Sequence, residues 1–163
     1  CIQTICIQIM ADTSLSEKKI GLLIWQVSNL WQTSMRKVLK SHNLTLNEYL
    51  IIESIIKLHS SSKEISQRDI SNFAGVDISV TSVTLKLLEE KKLIIRTNKI
   101  DNRKKNIEML LQGNNLYKKL RTTVDNESTK IFSKLQEETH NFTNSLKLLL
   151  GKRIRIKDEK IDE

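Results

Sequence analysis

The apolar positions of the chain recur mainly at intervals of three and four residues, which is the spacing of one face of an α-helix. Ile20, Leu23, Ile24 and Val27 begin such a stripe, and it continues to Leu39. The predicted helices cover about residues 14–42, 46–59, 67–74, 77–92, 114–135 and 137–150. The pattern therefore predicts a mainly α-helical fold.

Three of the predicted helices begin with the same polar arrangement. A hydroxyl residue is followed three positions later by an acidic residue at Ser14–Glu17, Thr45–Glu48 and Ser66–Asp69. In such a capping box the hydroxyl and the carboxylate each accept a hydrogen bond from a free backbone amide of the helix start. Two boxes are flanked by apolar pairs that can form a hydrophobic staple, Leu44 with Tyr49 and Ile65 with Ile70.

One stretch departs from the helical pattern. Two short runs of branched or bulky apolar residues, 93–96 and 107–110, flank the sequence KIDNRKKN at 99–106. Such runs favour strands, so the region predicts a β-hairpin with a cationic tip. A short helix, a turn containing Gly75, a second helix and this hairpin follow in the order of a winged helix-turn-helix.

The composition agrees with a helical, basic protein of one domain. The 163 residues include no proline and only four glycines, so few residues interrupt the helices. The formal net charge is +8 and the pI is about 9.5. A balance of this size is typical of proteins that bind nucleic acid or an anionic surface, and a solvated basic surface is the alternative.

Several classes of protein are disfavoured by the sequence. We expect neither an enzyme nor a cofactor, because there is no glycine-rich phosphate loop, no Cys-x-x-Cys and no nucleophile elbow. A metal site is not expected, because His42, His59 and His140 are widely spaced. No apolar run approaches the roughly 18 residues of a membrane span. Cys1 and Cys6 form no disulfide framework, which indicates a reducing compartment, and we expect a cytoplasmic location.

Both ends of the chain are expected to lie outside the folded domain. Met10 is the expected natural start, so residues 1–13 are interpreted as a disordered or non-native extension. Residues 151–163, which begin at Gly151, form a charged tail. Redox sensing through Cys6 is an alternative for which the sequence supplies no activating neighbour.

The order of elements and the residues of the hairpin resemble the multiple antibiotic resistance regulator (MarR) family. The most specific part is Arg96 followed by Asp101-x-Arg103 and then Gly113, and the segment LLEEKKLIIR at 87–96 is similar too. The resemblance covers about residues 15–150 and implies a single domain over 14–150. Its parts would be dimerisation helices at 14–42 and 114–150 and a winged-helix lobe at 45–112. Such proteins are homodimeric transcription regulators that bind double-stranded DNA.

The resemblance implies that helix 77–92 is a recognition helix in the major groove and that wing 96–107 lies in the minor groove. Arg103 would enter a narrow minor groove, held by Asp101, while Lys104 and Lys105 contact phosphates. An ordinary solvated hairpin tip is the alternative. The candidate DNA contacts are Ser66, Gln67, Arg68, Ser79, Val80, Ser82, Val83, Lys86, Arg96, Asp101, Arg103, Lys104 and Lys105.

The sequence departs from the family pattern at three places. These are Val83 for an arginine within the recognition helix, Lys92 for a glycine before the wing, and Leu110 for the threonine that caps the next helix. Without the arginine a bidentate guanine contact is lost. Base readout would then rest on Ser79, Ser82 and contacts of Val80 or Val83 with thymine methyls. We expect an AT-rich, pseudo-palindromic operator, and packing of the two valines inside the protein is the alternative.

The sequence constrains the regulation and the mode of action of the protein less than it constrains the fold. Many relatives respond to small phenolic or oxidant signals at the junction of the two lobes, and Trp25, Trp31, His42 and Tyr49 are the candidates for such a pocket. All four also fit a core stripe or a helix end. Repression is the expected mode of action. The alternative function is a winged-helix protein-interaction module with weak, non-specific DNA binding.

Overall fold

The computed structural model of the chain describes residues 19–62, 64–98 and 105–153. Within these residues the chain forms six α-helices and one two-stranded antiparallel sheet. The elements are α1 (Ile20–Lys40), α2 (Leu46–His59), α3 (Gln67–Ala74), α4 (Ile78–Glu90), β1 (Ile94–Asn98), β2 (Lys105–Met109), α5 (Leu111–Phe132) and α6 (Thr139–Leu149). A short 3₁₀ segment, Ser133–Glu138, joins α5 to α6. This order confirms the predicted mainly α-helical, winged helix-turn-helix architecture.

Two of the three predicted capping boxes are present. At the start of α2 the Thr45 amide donates to Glu48 Oε2 over 2.8 Å, and the Glu48 amide donates to Thr45 Oγ1 over 3.2 Å. At the start of α3 Ser66 and Asp69 form the same reciprocal pair, at 2.8 and 3.3 Å. The third box, Ser14–Glu17, lies outside the described residues together with the expected N-terminal extension, and both stay predictions.

The hairpin is confirmed, with strands that reach nearer to its tip than the sequence suggested. The register pairs Ile94 with Met109 and Thr97 with Asn106, and it continues to Asn98 and Lys105. The apolar residues of both strands mark the inner face, because Ile94 and Ile107 are each 1% exposed.

Helix α5 begins at Leu111, three residues earlier than predicted, and thus includes Gly113. The reason is that the chain before the wing closely approaches the chain after it. The Leu110 amide donates to the Leu93 carbonyl over 3.0 Å, which brings the start of α5 against the start of the hairpin. A side chain at position 113 would overlap that carbonyl oxygen and the terminal methyl of Met109. Leu110 supplies no side-chain cap to α5.

The core of the described residues is centred on α2, which packs against every neighbouring helix of the winged lobe and against β2. Its Ile51, Ile52 and Ile55 are at most 1% exposed. Aliphatic side chains from the other elements complete the cluster: Met35, Leu39, Ile70, Leu85, Leu88, Ile94, Ile107 and Leu120. The low aromatic content of the chain is therefore reflected in a core of leucine and isoleucine.

Helix α1 packs on α5, and near their contact the Trp31 indole N–H donates to Ser128 Oγ over 3.1 Å. The first half of α1 is different, since its apolar residues face solvent: Ile20, Leu22, Leu23, Ile24, Trp25, Val27 and Leu30 are 40–63% exposed. No helix in the described ranges is both long and apolar enough to cross a membrane.

The close approach at Gly113 gives a direct test of this packing. Because the overlap at position 113 involves backbone, Gly113→Ala should lower the free energy of unfolding by about 1–3 kcal/mol. Gly21→Ala is the matched control, since no atom lies within 4 Å of its added methyl. Gly21 is the second residue of α1, so that change should leave stability unchanged or raise it by less than about 1 kcal/mol. Urea denaturation of both variants measures the two differences, and equal effects would contradict the packing described at the base of the wing.

Candidate nucleic-acid interface

The turn between α3 and α4 is set by local backbone geometry. Gly75 ends α3 in the left-handed conformation, at φ 66°, which glycine adopts without steric cost. Asp77 then caps α4 by accepting hydrogen bonds from the amide and hydroxyl of Ser79, the first at 2.7 Å. The hydrogen bonds from Ser79 lower the pKa of the Asp77 carboxyl, so it is held in the ionised form that complements the helix dipole.

Helix α4 has a buried face and an exposed face. Leu85 and Leu88 are 0% exposed and anchor its inner side. On the outer side Val83 is 62% and Val80 39% exposed, which rules out their packing inside this chain. Ser79 and Lys86 are also exposed and Ser82 is half-buried, so the five predicted recognition-helix residues lie on the solvent side of the helix.

The three candidates at the start of α3 have different surroundings. The Ser66 hydroxyl is part of the capping box. The Gln67 side-chain amide donates to the Ile78 carbonyl over 3.3 Å and so links the two helices of the motif. Arg68 is exposed. Arg68 is thus placed to reach a ligand, whereas the other two side chains contribute to the local fold.

Arg96 lies where β1 passes the end of α4. Its guanidinium binds the Glu89 carboxylate, with Nε at 2.8 Å from Oε2 and Nη2 in close contact with the same oxygen. The Arg96 amide also donates to Glu89 Oε1 over 3.3 Å. Arg96, which the sequence predicted to contact DNA, therefore has a partner within the protein, and the ion pair connects β1 to α4.

The base of the wing is held by residues that the sequence did not reveal. Asn106 is 8% exposed, and its Oδ1 accepts from the Ile65 amide over 3.1 Å while its Nδ2 donates to Glu108 over 2.8 Å. His59, at the end of α2, contacts the Ile107 carbonyl through Nε2 over 2.9 Å. Asn106 belongs to the predicted tip, residues 99–106, so no sequence signal marked it as such an anchor.

The tip of the wing, residues 99–104, lies outside the described residues. Asp101, Arg103 and Lys104 belong to this stretch, and the side chain of Lys105 is not described either. Their proposed contacts with DNA therefore stay predictions that follow from the resemblance.

The four residues expected at an effector pocket have different surroundings, and their role there stays a prediction. Trp25 is 63% exposed, and Trp31 is bound to Ser128. Tyr49 is 2% exposed and stacks on Tyr117 with 6.0 Å between ring centroids. His42 is half-buried in the turn after α1.

A cavity of about 600 Å³ lies along α5 and the end of α2. Its lining residues are Ile56, Asn114, Tyr117, Lys118, Arg121, Thr122, Asp125 and Asn126, none of which the sequence had indicated. The Tyr117 hydroxyl donates to Glu53 over 3.3 Å. Burial, and then the Glu53 charge, raise the pKa of Tyr117. In the described part of the chain no three His, Cys, Asp or Glu side chains are grouped to hold a metal ion.

Comparison with known sequences finds similarity over only part of the chain. No protein-family model matches the chain. A curated relative, the uncharacterized HTH-type transcriptional regulator YdcH of Bacillus subtilis (strain 168), is 26% identical over 77 residues. The match covers 47% of this chain and 52% of the relative, so it spans about half the length of each protein.

Solved structures match over most of the chain. A MarR-family transcriptional regulator from Rhodococcus sp. RHA1 gives a TM-score of 0.73 at 20% identity and covers 85% of this chain and 97% of that one. CouR from Rhodococcus jostii RHA1, bound to p-coumaroyl-CoA, gives 0.72 at 21% identity with 86% and 97% covered. MepR from S. aureus in complex with DNA gives 0.70 at 21% identity with 80% and 94% covered. These likenesses confirm that the fold is the MarR-type winged helix-turn-helix.

Proposed function

We propose that this chain, whose fold is that of the MarR-family regulators, is a transcription regulator that binds double-stranded DNA as a homodimer. The observation that carries the proposal is the two-sided construction of α4. Leu85 and Leu88 anchor its inner face in the core, while Ser79, Val80 and Val83 in its N-terminal half face solvent. A helix supported in this way can enter the major groove with its N-terminal residues against the base edges.

The chemistry of the exposed face favours an AT-rich operator. Val80 and Val83 present methyl groups, which suit the C5-methyl of thymine, and position 83 lacks the guanidinium that would bind guanine bidentately. Ser79 and Ser82 add hydroxyl groups that accept or donate to either type of pair. A large share of the discrimination would then come from DNA shape and deformability.

The wing would supply the sequence-independent part of binding. Arg103 is proposed to enter the minor groove, with Asp101 holding its guanidinium and Lys104 and Lys105 near phosphates. The Glu89–Arg96 ion pair supports this arrangement, because it fixes the direction in which the hairpin leaves α4. Promoter occupancy by such a protein would repress transcription.

Dimerisation is proposed through the outer helices. The exposed apolar side chains of the first half of α1 are joined at the other end of the chain by Leu148, Leu149 and Leu150, which are 60–72% exposed. Exposed apolar side chains in such number are typical of a protein–protein interface. A two-fold axis between the α1 and α6 helices of two copies would place two recognition helices on one face of a duplex.

We further propose that a small organic molecule controls the protein. CouR is a precedent within the fold, since its structure holds p-coumaroyl-CoA. In this chain the cavity along α5 is the candidate site, with Tyr117 in its wall and Arg121 to pair with an anionic group. The buried Tyr49 hydroxyl has no hydrogen-bond partner within the described residues, and its ring stacks on Tyr117. A ligand that reaches this region would therefore meet an available polar group.

The alternative function, a protein-docking module, is supported by one observation. The solvent face of the motif is unusually apolar, with Phe73 50%, Val83 62% and Leu87 41% exposed. Such a module would show only weak, salt-sensitive and sequence-indifferent affinity for DNA.

Selection of bound duplexes from a random pool tests the DNA-binding proposal. We expect the wild-type chain to enrich a pseudo-palindromic, AT-rich sequence. Arg103→Ala should bind the selected duplex about 5- to 150-fold more weakly, the range of one good contact worth about 1–3 kcal/mol. Arg153→Ala, which removes the same charge from an exposed position after α6, should change the affinity by less than about twofold. Failure of the wild-type chain to enrich any sequence would contradict the proposal and favour the docking module.

Sedimentation equilibrium tests the dimer. Leu23→Glu combined with Val27→Glu places charges on the exposed apolar stripe of α1 and should convert a dimer into a folded monomer at micromolar concentration. Gln26→Glu is the control, because it adds a charge to an exposed polar position of the same helix. That variant should remain dimeric. A wild-type chain that sediments as a monomer would contradict the interface proposed here.

A further inference from the structure

The side chain of Lys91, at the C-terminal end of α4, turns away from the exposed face of that helix and ends among backbone and carboxylate oxygens. Its Nζ lies 2.7 Å from Glu48 Oε1 and 3.0 Å from Glu48 Oε2. The same nitrogen donates to the Asn43 carbonyl over 2.7 Å. The ammonium group thus donates hydrogen bonds to the Asn43 carbonyl and to Glu48 Oε2, and Glu48 Oε1 completes the ion pair.

One of the two acceptor residues, Glu48, is buried. The Glu48 side chain is 1% exposed, and its carboxylate is also engaged by the Thr45 amide. An ionised carboxylate without a cation is costly in such a place, so Lys91 is a required partner rather than a surface charge. The Lys91 side chain keeps 31% exposure, which lets the group reach the pair from the solvent side.

The contact joins parts of the molecule that have different proposed roles. Asn43 lies in the turn that ends α1, where it adopts a left-handed φ of 55°. Glu48 lies in the first turn of α2, and Lys91 is the C-cap residue of α4. The end of the proposed dimerisation helix and the end of the proposed recognition helix are therefore connected through one ammonium group.

The apolar contacts of α4 do not supply this connection. Leu85 and Leu88 hold the helix against α2 and determine which side of α4 faces outward. Contacts of this kind are non-directional. The charge-assisted hydrogen bond at the C-terminal end of α4 adds a directional restraint to them, at the end opposite to the Gln67–Ile78 hydrogen bond.

We propose that Lys91 is a positioning residue: through Glu48 and Asn43 it fixes the angle of α4 relative to α1, and so sets the half-site spacing that the dimer accepts. The proposal rests on the proposed function. One additional base pair moves the second half-site by about 3.4 Å and turns it by about 35°. A dimer with firmly held recognition helices should reject such a site, whereas a dimer with pivoting helices should tolerate it.

The test uses a double variant that keeps the fold. Lys91→Met with Glu48→Gln removes both charges, leaves no buried ion, and keeps an oxygen for the Thr45 amide. Lys92→Met is the matched control, because it removes one cation from the adjacent, exposed position. Circular dichroism and thermal melting establish that each variant is folded before it is compared.

The first measurement needs no DNA. Spin labels are placed at Arg36→Cys on α1 and Val83→Cys on α4, both exposed positions, in a chain whose Cys1 and Cys6 are replaced by serine. Dilution with unlabelled protein restricts the signal to distances within one chain. We expect the wild-type background and Lys92→Met to share one narrow distribution, and the double variant to shift or broaden it by about 1–2 Å or more. An unchanged distribution in the double variant overturns the positioning role.

The second measurement uses selected duplexes whose half-sites are separated by one base pair fewer or more than the preferred spacing. The wild-type chain and Lys92→Met should lose about tenfold or more in affinity on either altered duplex, an effect comparable to one lost base contact. The double variant should lose about threefold or less. If it keeps the wild-type preference, the spacing role is overturned even where the label distances change. If wild-type protein selects no sequence, the proposed function fails, and the label distances still decide the positioning role.

Discussion

The buried carboxylate of Glu48 is the group on which the winged-helix part of the structure depends. It closes the capping box of α2 by accepting from the Thr45 amide, and it binds Lys91 at the end of α4. One carboxylate therefore links the start of the central helix to the end of α4. Loss of a single member of such a pair leaves an uncompensated buried charge, which costs about 3–5 kcal/mol. Glu48 and Lys91 therefore each stabilise the fold only while the other is present. The pair holds α4 at its C-terminal end, whereas the N-terminal end of α4 stays exposed.

The same end of α4 also orients the wing. Glu89, two residues before Lys91, binds Arg96, and Asn106 connects the second strand to the segment before α3. Helix α4 and the wing are therefore both supported from the protein side by polar contacts. The exposed part of α4 offers Val80, Val83 and hydroxyl groups, whereas Lys104 and Lys105, which are proposed to contact the DNA backbone, come just before β2 and at its first residue. On the proposed function, base discrimination would come from shape and methyl contacts, and salt-dependent affinity from the wing.

The sequence predicted structural features that depend on residues close together along the chain, but not contacts between residues far apart in it. The starts of α2 and α3 follow from residues three positions apart, and the hairpin from two short apolar runs, so local patterns predicted them correctly. The Lys91–Glu48 and Asn106–Ile65 contacts join residues 43 and 41 positions apart, and no local pattern indicates such pairs. For Arg96 the resemblance suggested a DNA contact, whereas the structure shows a carboxylate partner. The sequence also left open whether Val83 packs inside the protein. Tertiary contacts of α4 with α2 determine which face of the helix is buried.

The most direct test of the central claim is to locate the N-terminal end of α4 on bound DNA. An iron chelate attached at Ser79→Cys, in a chain with Cys1 and Cys6 replaced by serine, would cleave the DNA backbone nearest to that residue. The account predicts two symmetry-related cleavage sites on a selected duplex, about one helical turn apart or a multiple of it. The same chelate at Asn141→Cys, an exposed position on α6, should give only background cleavage. Cleavage spread evenly along the duplex, or equal cleavage from both positions, would contradict the placement of α4 in the major groove.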